Sequence, residues 1–555
     1  MFEKIVAQKN VLIQSAIVLL GLVLFLPGLG SVHLFDWDEI NFAESAREML
    51  VTGDYLNVQI NFESFWEKPP LFIWMQALSM KMFGVGEFAA RFPNAVCGII
   101  TMLLLFRIGT QLRNERFGVL WVLVYVASFT PFFYFKSGII DPWFNLFIFL
   151  GTYFFIRFTS PNKSQNGYLS LACSGLFLGL AVLTKGPVGF LIFLLTFACY
   201  LVLNRFRLAF KWGQVFLFFG VFAFVGGFWF LLQMLNGNWS VIQDFIVYQI
   251  RLFETKDAGH GGFFLYHFVV LLVGVFPASM FALFTFRRGV LSKEQDANMA
   301  HFFRWMQLLF WVVLILFTIV RTKIIHYSSM CYFPLTFFAA WYIEQVISGE
   351  EKLPLSAKLL VAIFSFVFAL AVTIIPFIDS YKHLLYPFVD EFTRGNLEAT
   401  SQWYGFEWIA GLVLAAGVIG FLLFADTKPK RAVLVLFASS LLFVFSTMLL
   451  VVPQVEKYTQ GAAIEFYESK QGEDCYILSM HKSYAPYFYS LRQPQNNCFD
   501  VPYLCRGSID KPCYFVLRNT QRAVSAFEQE TESAEFLYTK NGFAFYVRYP
   551  KSELR

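Results

Sequence analysis

FDWDEINFAESAREML, residues 35–50, follows directly on VLIQSAIVLLGLVLFLPGLG at 11–30, an apolar run long enough to cross a bilayer. Asp36, Asp38 and Glu39 thereby set three carboxylates beside a hydrophobic segment. Their ordinary use is structural, because acidic residues suit a helix N-terminus and INFAESAREML carries Ala, Glu and Arg at helical spacing. Glu44 and Glu48 around Arg47 also match an amphipathic interfacial helix. The alternative is that this stretch is the working end of an enzyme. The rest of the chain decides between the two.

The 555 residues are 57% hydrophobic and 15% charged, with a mean hydropathy of +0.57. A soluble protein carries about 25% charged residues, so this chain is a polytopic α-helical membrane protein. The N-terminal apolar run lacks a small-residue cleavage site and reads as a retained first span. Apolar runs predict about thirteen spans, near 11–30, 88–106, 117–135, 142–157, 168–184, 187–203, 213–234, 263–286, 305–320, 324–345, 357–376, 406–424 and 432–452. Alternate loops are short and rich in Lys and Arg (Lys4/Lys9; Arg107/Arg113/Arg116; Arg205/Arg207/Lys211; Lys428/Lys430/Arg431), which makes them cytoplasmic. The other set, including the loop 31–87, then faces outward, as does the tail.

Residues 1–452 form the membrane domain in this reading, and 453–555 a small α/β domain outside the membrane. The tail is polar, with β-rich runs CYILSM, PCYFVLR and EFLYTKNGFAFYVRY and a helix predicted around Arg522–Glu535. Its Cys475, Cys498, Cys505 and Cys513 predict one or two disulfides, for which three pairings exist.

Unusual polar residues converge on the outward face: Asp38 and Glu39, then Glu67-Lys68 in the same loop, and Lys136 and Asp141 around KSGIID. Lys185 in LTKGPVG, Arg251, Glu254 and His260, and Arg321, Lys323 and His326 follow. Each alone has a bland use as a helix cap, a snorkelling cation or a loop histidine. Independent caps need not share a leaflet, and ionisable groups at membrane depth are costly and usually functional. Carboxylates suit activation of an attacking oxygen, and cations with a metal suit a phosphate leaving group. No Walker motif and no large cytosolic domain point to a soluble nucleotide as donor. A lipid-linked phosphate sugar is the natural alternative. A lipid or polysaccharide transporter is the rival from another class, but charge is nearly absent from the inner part of most spans.

WDEINFAESAREML and FWEKPPLFIWMQALSMKMFGVGEFAARFPNAV resemble signature segments of the aminoarabinose transferases and related bacterial members of the protein O-mannosyltransferase-like superfamily. LTKGPVGF and KIIHY continue the match in order. The resemblance implies a GT-C fold of about thirteen membrane helices with a periplasmic α/β tail. It implies inverting transfer of a sugar from undecaprenyl phosphate at the periplasmic face of the bacterial inner membrane. The acceptor would be lipid A, receiving a 4-amino-4-deoxy-L-arabinose-type sugar, or alternatively a protein hydroxyl. By position, Asp38, with Glu39 beside it, matches the catalytic carboxylate and Asp141 the second acid. Glu67 and His260 match a divalent-metal site, for which Zn²⁺, Mg²⁺ and Mn²⁺ stay open. Lys68, Arg251, Lys323 and Tyr327 fall where the carrier phosphate would be held, with Lys136 and Lys185 as further cations. Two positions depart from the pattern: Asn41 stands where the family commonly has Arg, which implies a different acceptor, a different donor sugar or a phosphate contact taken over by Arg47, and His326 stands where proline is common. Nothing in the sequence fixes an oligomeric state, and no feature points to nucleic acid.

Overall fold

The computed structural model describes residues 2–161, 167–208, 210–254, 261–287, 289 and 294–550, with 2–7 and 252–254 as helix backbone only. Among the described residues, seven helices are long and apolar enough to cross a membrane. An eighth is added if Tyr266–Gly274 and Ala278–Phe286, bent by 112°, count as one span. The chain is a multi-pass helical membrane protein. The thirteen expected segments all fall on helix, but several are short or broken. The 117–135 segment divides into Glu115–Val126 and Phe129–Tyr134. Pro131 lies in the first turn of the second piece, where it is tolerated; further inside a continuous helix its ring would clash with the Ala127 carbonyl. The 324–345 segment begins as a 3₁₀ turn, Ile325–Cys331, before the helix Tyr332–Ser348.

Large side chains fill the membrane core, with Trp121, Trp305 and Trp341 buried among phenylalanines. Small residues allow closer approach elsewhere. Gly175 and Gly179, spaced G-x-x-x-G on Gly167–Lys185, face the helix Trp212–Leu235. A Cβ at Gly175 would lie 2.6 Å from the Phe218 carbonyl oxygen.

In the loop 31–87 the helix Asp38–Thr52 is buried from Glu39 to Met49. It packs between Leu71–Phe83 and the short tail helix Ala485–Tyr489. The expected amphipathic surface helix is therefore a core element. Residues 476–548 hold a four-stranded sheet in the order Tyr476–Ser479, Cys513–Arg518, Phe543–Arg548, Glu535–Lys540, the first pair parallel and the others antiparallel. Side chains alternate across it. Val516, Phe543 and Phe545 join an apolar cluster with Ile40, Phe42 and Phe72 of the outer loop. Phe515, Leu517, Ala544 and Tyr546 pack with Phe527 of the helix Gln521–Glu530. The tail and the outer loop thus share one core.

The expected disulfides are absent: all eight cysteines are free. Cys505 and Cys513 serve as small apolar residues in one tail cluster and Cys475 in another, while Cys498 is only half-buried.

Candidate active site

Helix ends place the central charges. Asp141 opens the helix Asp141–Thr159 with Pro142 behind it, and Lys185 closes Gly167–Lys185. An acid at a helix N-terminus and a base at a C-terminus both complement the backbone dipole. The two groups meet, Lys185 Nζ donating to Asp141 Oδ1 at 2.6 Å. Gly186, at φ +96, makes the left-handed exit that lets Pro187 begin the next helix so soon.

Asp38 opens its own helix after Trp37, whose φ of 77 is unusual for a bulky residue. That turn is held from several sides. Asp36 Oδ1 accepts from Trp37 N at 2.9 Å and from Tyr484 N of the tail at 3.0 Å. Glu39 accepts from Phe35 N at 2.9 Å, Gly138 N at 2.5 Å and the Arg91 guanidinium at 3.0 and 2.8 Å. Arg91 also donates to the carbonyls of Leu29, Val32 and His33. Burial would raise the Glu39 pKa, but the Arg91 charge and these donors outweigh it and hold the carboxyl below its usual range. With its neighbours locked, the Asp38 side chain remains 45% exposed.

Asp38 opens onto a cavity of about 660 Å³ that also receives Asp141, Glu67, Lys68, Lys185, Arg251, Tyr327 and His326. His326 Nε2 stands between the two aspartates, 3.5 Å from Asp38 Oδ2 and 4.0 Å from Asp141 Oδ2. Lys68 Nζ lies 3.8 Å from Glu67 and 5.2 Å from the Tyr248 ring centroid, over which Arg251 also stacks. Burial lowers the Lys68 pKa, partly offset by Glu67. Val188, Ile192, Phe317, Val320 and Met330 give the cavity an apolar wall. The tail reaches it through Lys482, whose Nζ is 4.0 Å from the Trp37 ring centroid, and through Tyr484.

Four expected site residues are spent elsewhere. Glu39 is the anchor just described and has no oxygen left for catalysis. Arg47 is 2% exposed and forks onto Glu44 at 2.7 and 2.6 Å, so it replaces no phosphate contact. Lys136 donates to the Pro27 carbonyl at 2.5 Å, away from the cavity. Lys323 borders the cavity, but its ammonium caps a helix end, donating to the carbonyls of Phe317, Thr318 and Val320 at 2.7–2.8 Å. Of the expected metal pair, His260 lies outside the described residues. Glu67 accepts from Tyr248 Oη at 2.8 Å, and among the described residues it joins no group of three metal-ligating side chains. Asn41 lines the cavity with its Oδ1 buried and unpaired.

Sequence reasoning missed the bridging position of His326, the anchoring role of Arg91, and Tyr248, Lys482 and Tyr484. Tyr248 and Arg251, three apart on the helix Trp239–Glu254, were findable by helical spacing. The tail residues carried no local signal.

A many-helix membrane fold thus holds a polar cavity lined in part by the outer loop and by Lys482 and Tyr484 of the tail. The chain resembles the ArnT-like GT-C glycosyltransferases in both sequence and fold. A model described as dolichyl-phosphate-mannose-protein mannosyltransferase matches residues 67–229. The undecaprenyl phosphate-alpha-4-amino-4-deoxy-L-arabinose arabinosyl transferase of Edwardsiella ictaluri is 26% identical over 330 residues, 57% of each chain. Its namesake from Pectobacterium atrosepticum is 27% identical over 372 residues, 64% of each. These matches span less than two thirds of either relative. The crystal structure of ArnT from Cupriavidus metallidurans bound to undecaprenyl phosphate shares the fold, with a TM-score of 0.76 at 17% identity over 96% of this chain and 97% of that one.

Proposed function

We propose that the chain is an inverting glycosyltransferase that moves a sugar from a polyprenyl phosphate, undecaprenyl phosphate first among them, to an acceptor at the periplasmic face of the bacterial inner membrane. Lipid A is the first assignment of the acceptor and an aminoarabinose-type sugar that of the donor. The observation that carries this reading is a single cavity combining the exposed Asp38 carboxylate, the cations Lys68, Lys185 and Arg251, and an apolar wall. Such a cavity suits an amphiphile with an anionic head. The named relatives support the same class.

In this mechanism the acceptor oxygen attacks the anomeric carbon as the bond from that carbon to the carrier phosphate breaks, inverting the centre. Lys68 and Arg251 hold the departing phosphate by charge-assisted hydrogen bonds. Lys185 neutralises Asp141, and His326 stands between the two aspartates. Asp38 orients the acceptor. An acceptor phosphate is already ionised near neutral pH, whereas a hydroxyl needs Asp38 as base, a contribution of roughly 10²–10⁴ in rate. No step passes through a metal; a cation on Glu67 and His260 would add charge for the leaving phosphate.

The test is purified protein in nanodiscs, supplied with polyprenyl-phosphate sugar and, separately, lipid A and an envelope protein fraction. Sugar on lipid A is the expected product. Sugar on protein alone would reassign the acceptor, and transfer to neither would overturn the enzyme reading in favour of a transporter.

A further inference from the structure

A second cluster of ligating groups lies outside the cavity, at the joint between membrane part and tail. His33 sits in the turn after the first helix. Glu87 is the first residue of Glu87–Leu112, and Glu468 the last of Gly461–Glu468. Each offers one ligand atom, and these atoms lie within 4.8 Å of one another. His33 Nδ1 is 3.1 Å from Oε1 of Glu456, whose side chain is only 4% exposed. A buried carboxylate on one imidazole nitrogen fixes the ring's orientation and leaves the other nitrogen to face a ligand, as behind metal-binding histidines.

Among the described residues no lysine or arginine forms an ion pair with Glu87, Glu456 or Glu468. The nearby Lys540 pairs instead with Glu465. Glu468 also stands at the negative end of its helix, where a carboxylate is disfavoured unless a cation lies beside it. Three carboxylates and one imidazole, drawn from three separate parts of the chain, therefore converge at this joint.

We infer that His33, Glu87 and Glu468 form a divalent-cation site, with Glu456 holding the imidazole, and that the bound ion clamps the tail to the membrane part. One imidazole with two carboxylates suits Zn²⁺ or Mn²⁺ better than a soft thiolate-seeking ion. Tetrahedral Zn²⁺ needs ligand atoms about 3.3–3.6 Å apart, given bonds of roughly 2.0–2.2 Å. The exposed Glu468 side chain can rotate to make up the difference. A water would take the fourth position. The site is separate from the cavity and does not depend on the proposed reaction.

The test uses the full chain in nanodiscs, stripped with a chelator and dialysed against Zn²⁺. Bound metal is measured by mass spectrometry, and protease resistance of the tail with and without Zn²⁺. Wild type should hold one equivalent more than Glu468→Gln or His33→Ala, and Zn²⁺ should slow tail cleavage at least tenfold in wild type only. Glu67→Gln, which leaves this cluster intact, should retain that equivalent. Glu468 is exposed, so its replacement leaves folding intact. Equal stoichiometry in wild type and Glu468→Gln overturns the site, and Zn²⁺-independent cleavage in wild type overturns the clamp.

Discussion

Glu39→Gln removes one charge from the lock beneath Asp38 while keeping the side chain's shape. Arg91 then stays buried at 3% exposure with its guanidinium facing an amide in place of a carboxylate. The amides of Phe35 and Gly138 lose their charged acceptor. Removing one partner of a buried pair costs about 3–5 kcal/mol. At about 1.36 kcal/mol per tenfold, local opening of this turn should become roughly 10²–10⁴ times more frequent. Amide hydrogen exchange in nanodiscs reads this directly: Phe35 and Gly138 should exchange faster by that factor, while amides in Ala297–Ile319 hold their wild-type rates. The double variant Glu39→Gln/Arg91→Met removes the unpaired buried charge but leaves the carbonyls of Leu29, Val32 and His33 without their donor, so it should recover only part of the loss. Unchanged exchange at both amides in Glu39→Gln would refute the lock, and with it the argument that Asp38 owes its position to Glu39.

Two further outcomes follow from how the cations are used. Lys68 has its pKa lowered by burial from the ordinary 10.5, so its charge is present at low pH and lost as pH rises through that reduced value. Carrier-phosphate binding should therefore weaken below pH 10.5, and Lys68→Arg should move that limb upward; a limb that does not move separates Lys68 from the phosphate. Lys323→Met should lower the unfolding midpoint, because three carbonyls at a helix end lose their donor, yet change undecaprenyl phosphate affinity less than threefold. A tenfold loss of affinity in folded Lys323→Met protein would return Lys323 to the phosphate.

The site was legible where a charge had to sit at a membrane boundary. Asp38, Asp141, Lys68, Lys185 and Arg251 all stand out against apolar flanks, and the structure gathers them. It was illegible where the same residue types spend their charge on backbone or on each other. Lys323 and Lys136 look like Lys185 in the sequence, but carbonyl partners fixed only by the fold consume their protons. Glu39 and Asp38 are adjacent and chemically alike, and only Arg91, more than fifty residues on, separates their roles. The strand runs of the tail were readable from their alternation, whereas the docking of Tyr484 onto Asp36 depends on tertiary packing. The span pattern blurred where the chain breaks between Val126 and Phe129 and bends between Gly274 and Ala278, which hydropathy alone would join.

Asp38 is the group that presents the acceptor in the proposed reaction. Single-turnover sugar transfer by Asp38→Asn in nanodiscs, beside undecaprenyl phosphate binding by the same preparation, addresses it most directly. The predicted result, if the acceptor is a hydroxyl, is a rate lower by roughly 10²–10⁴, with a smaller loss for an acceptor phosphate, and carrier affinity near wild type in both cases. Transfer at the wild-type rate by folded Asp38→Asn, with every acceptor it modifies, would contradict the account.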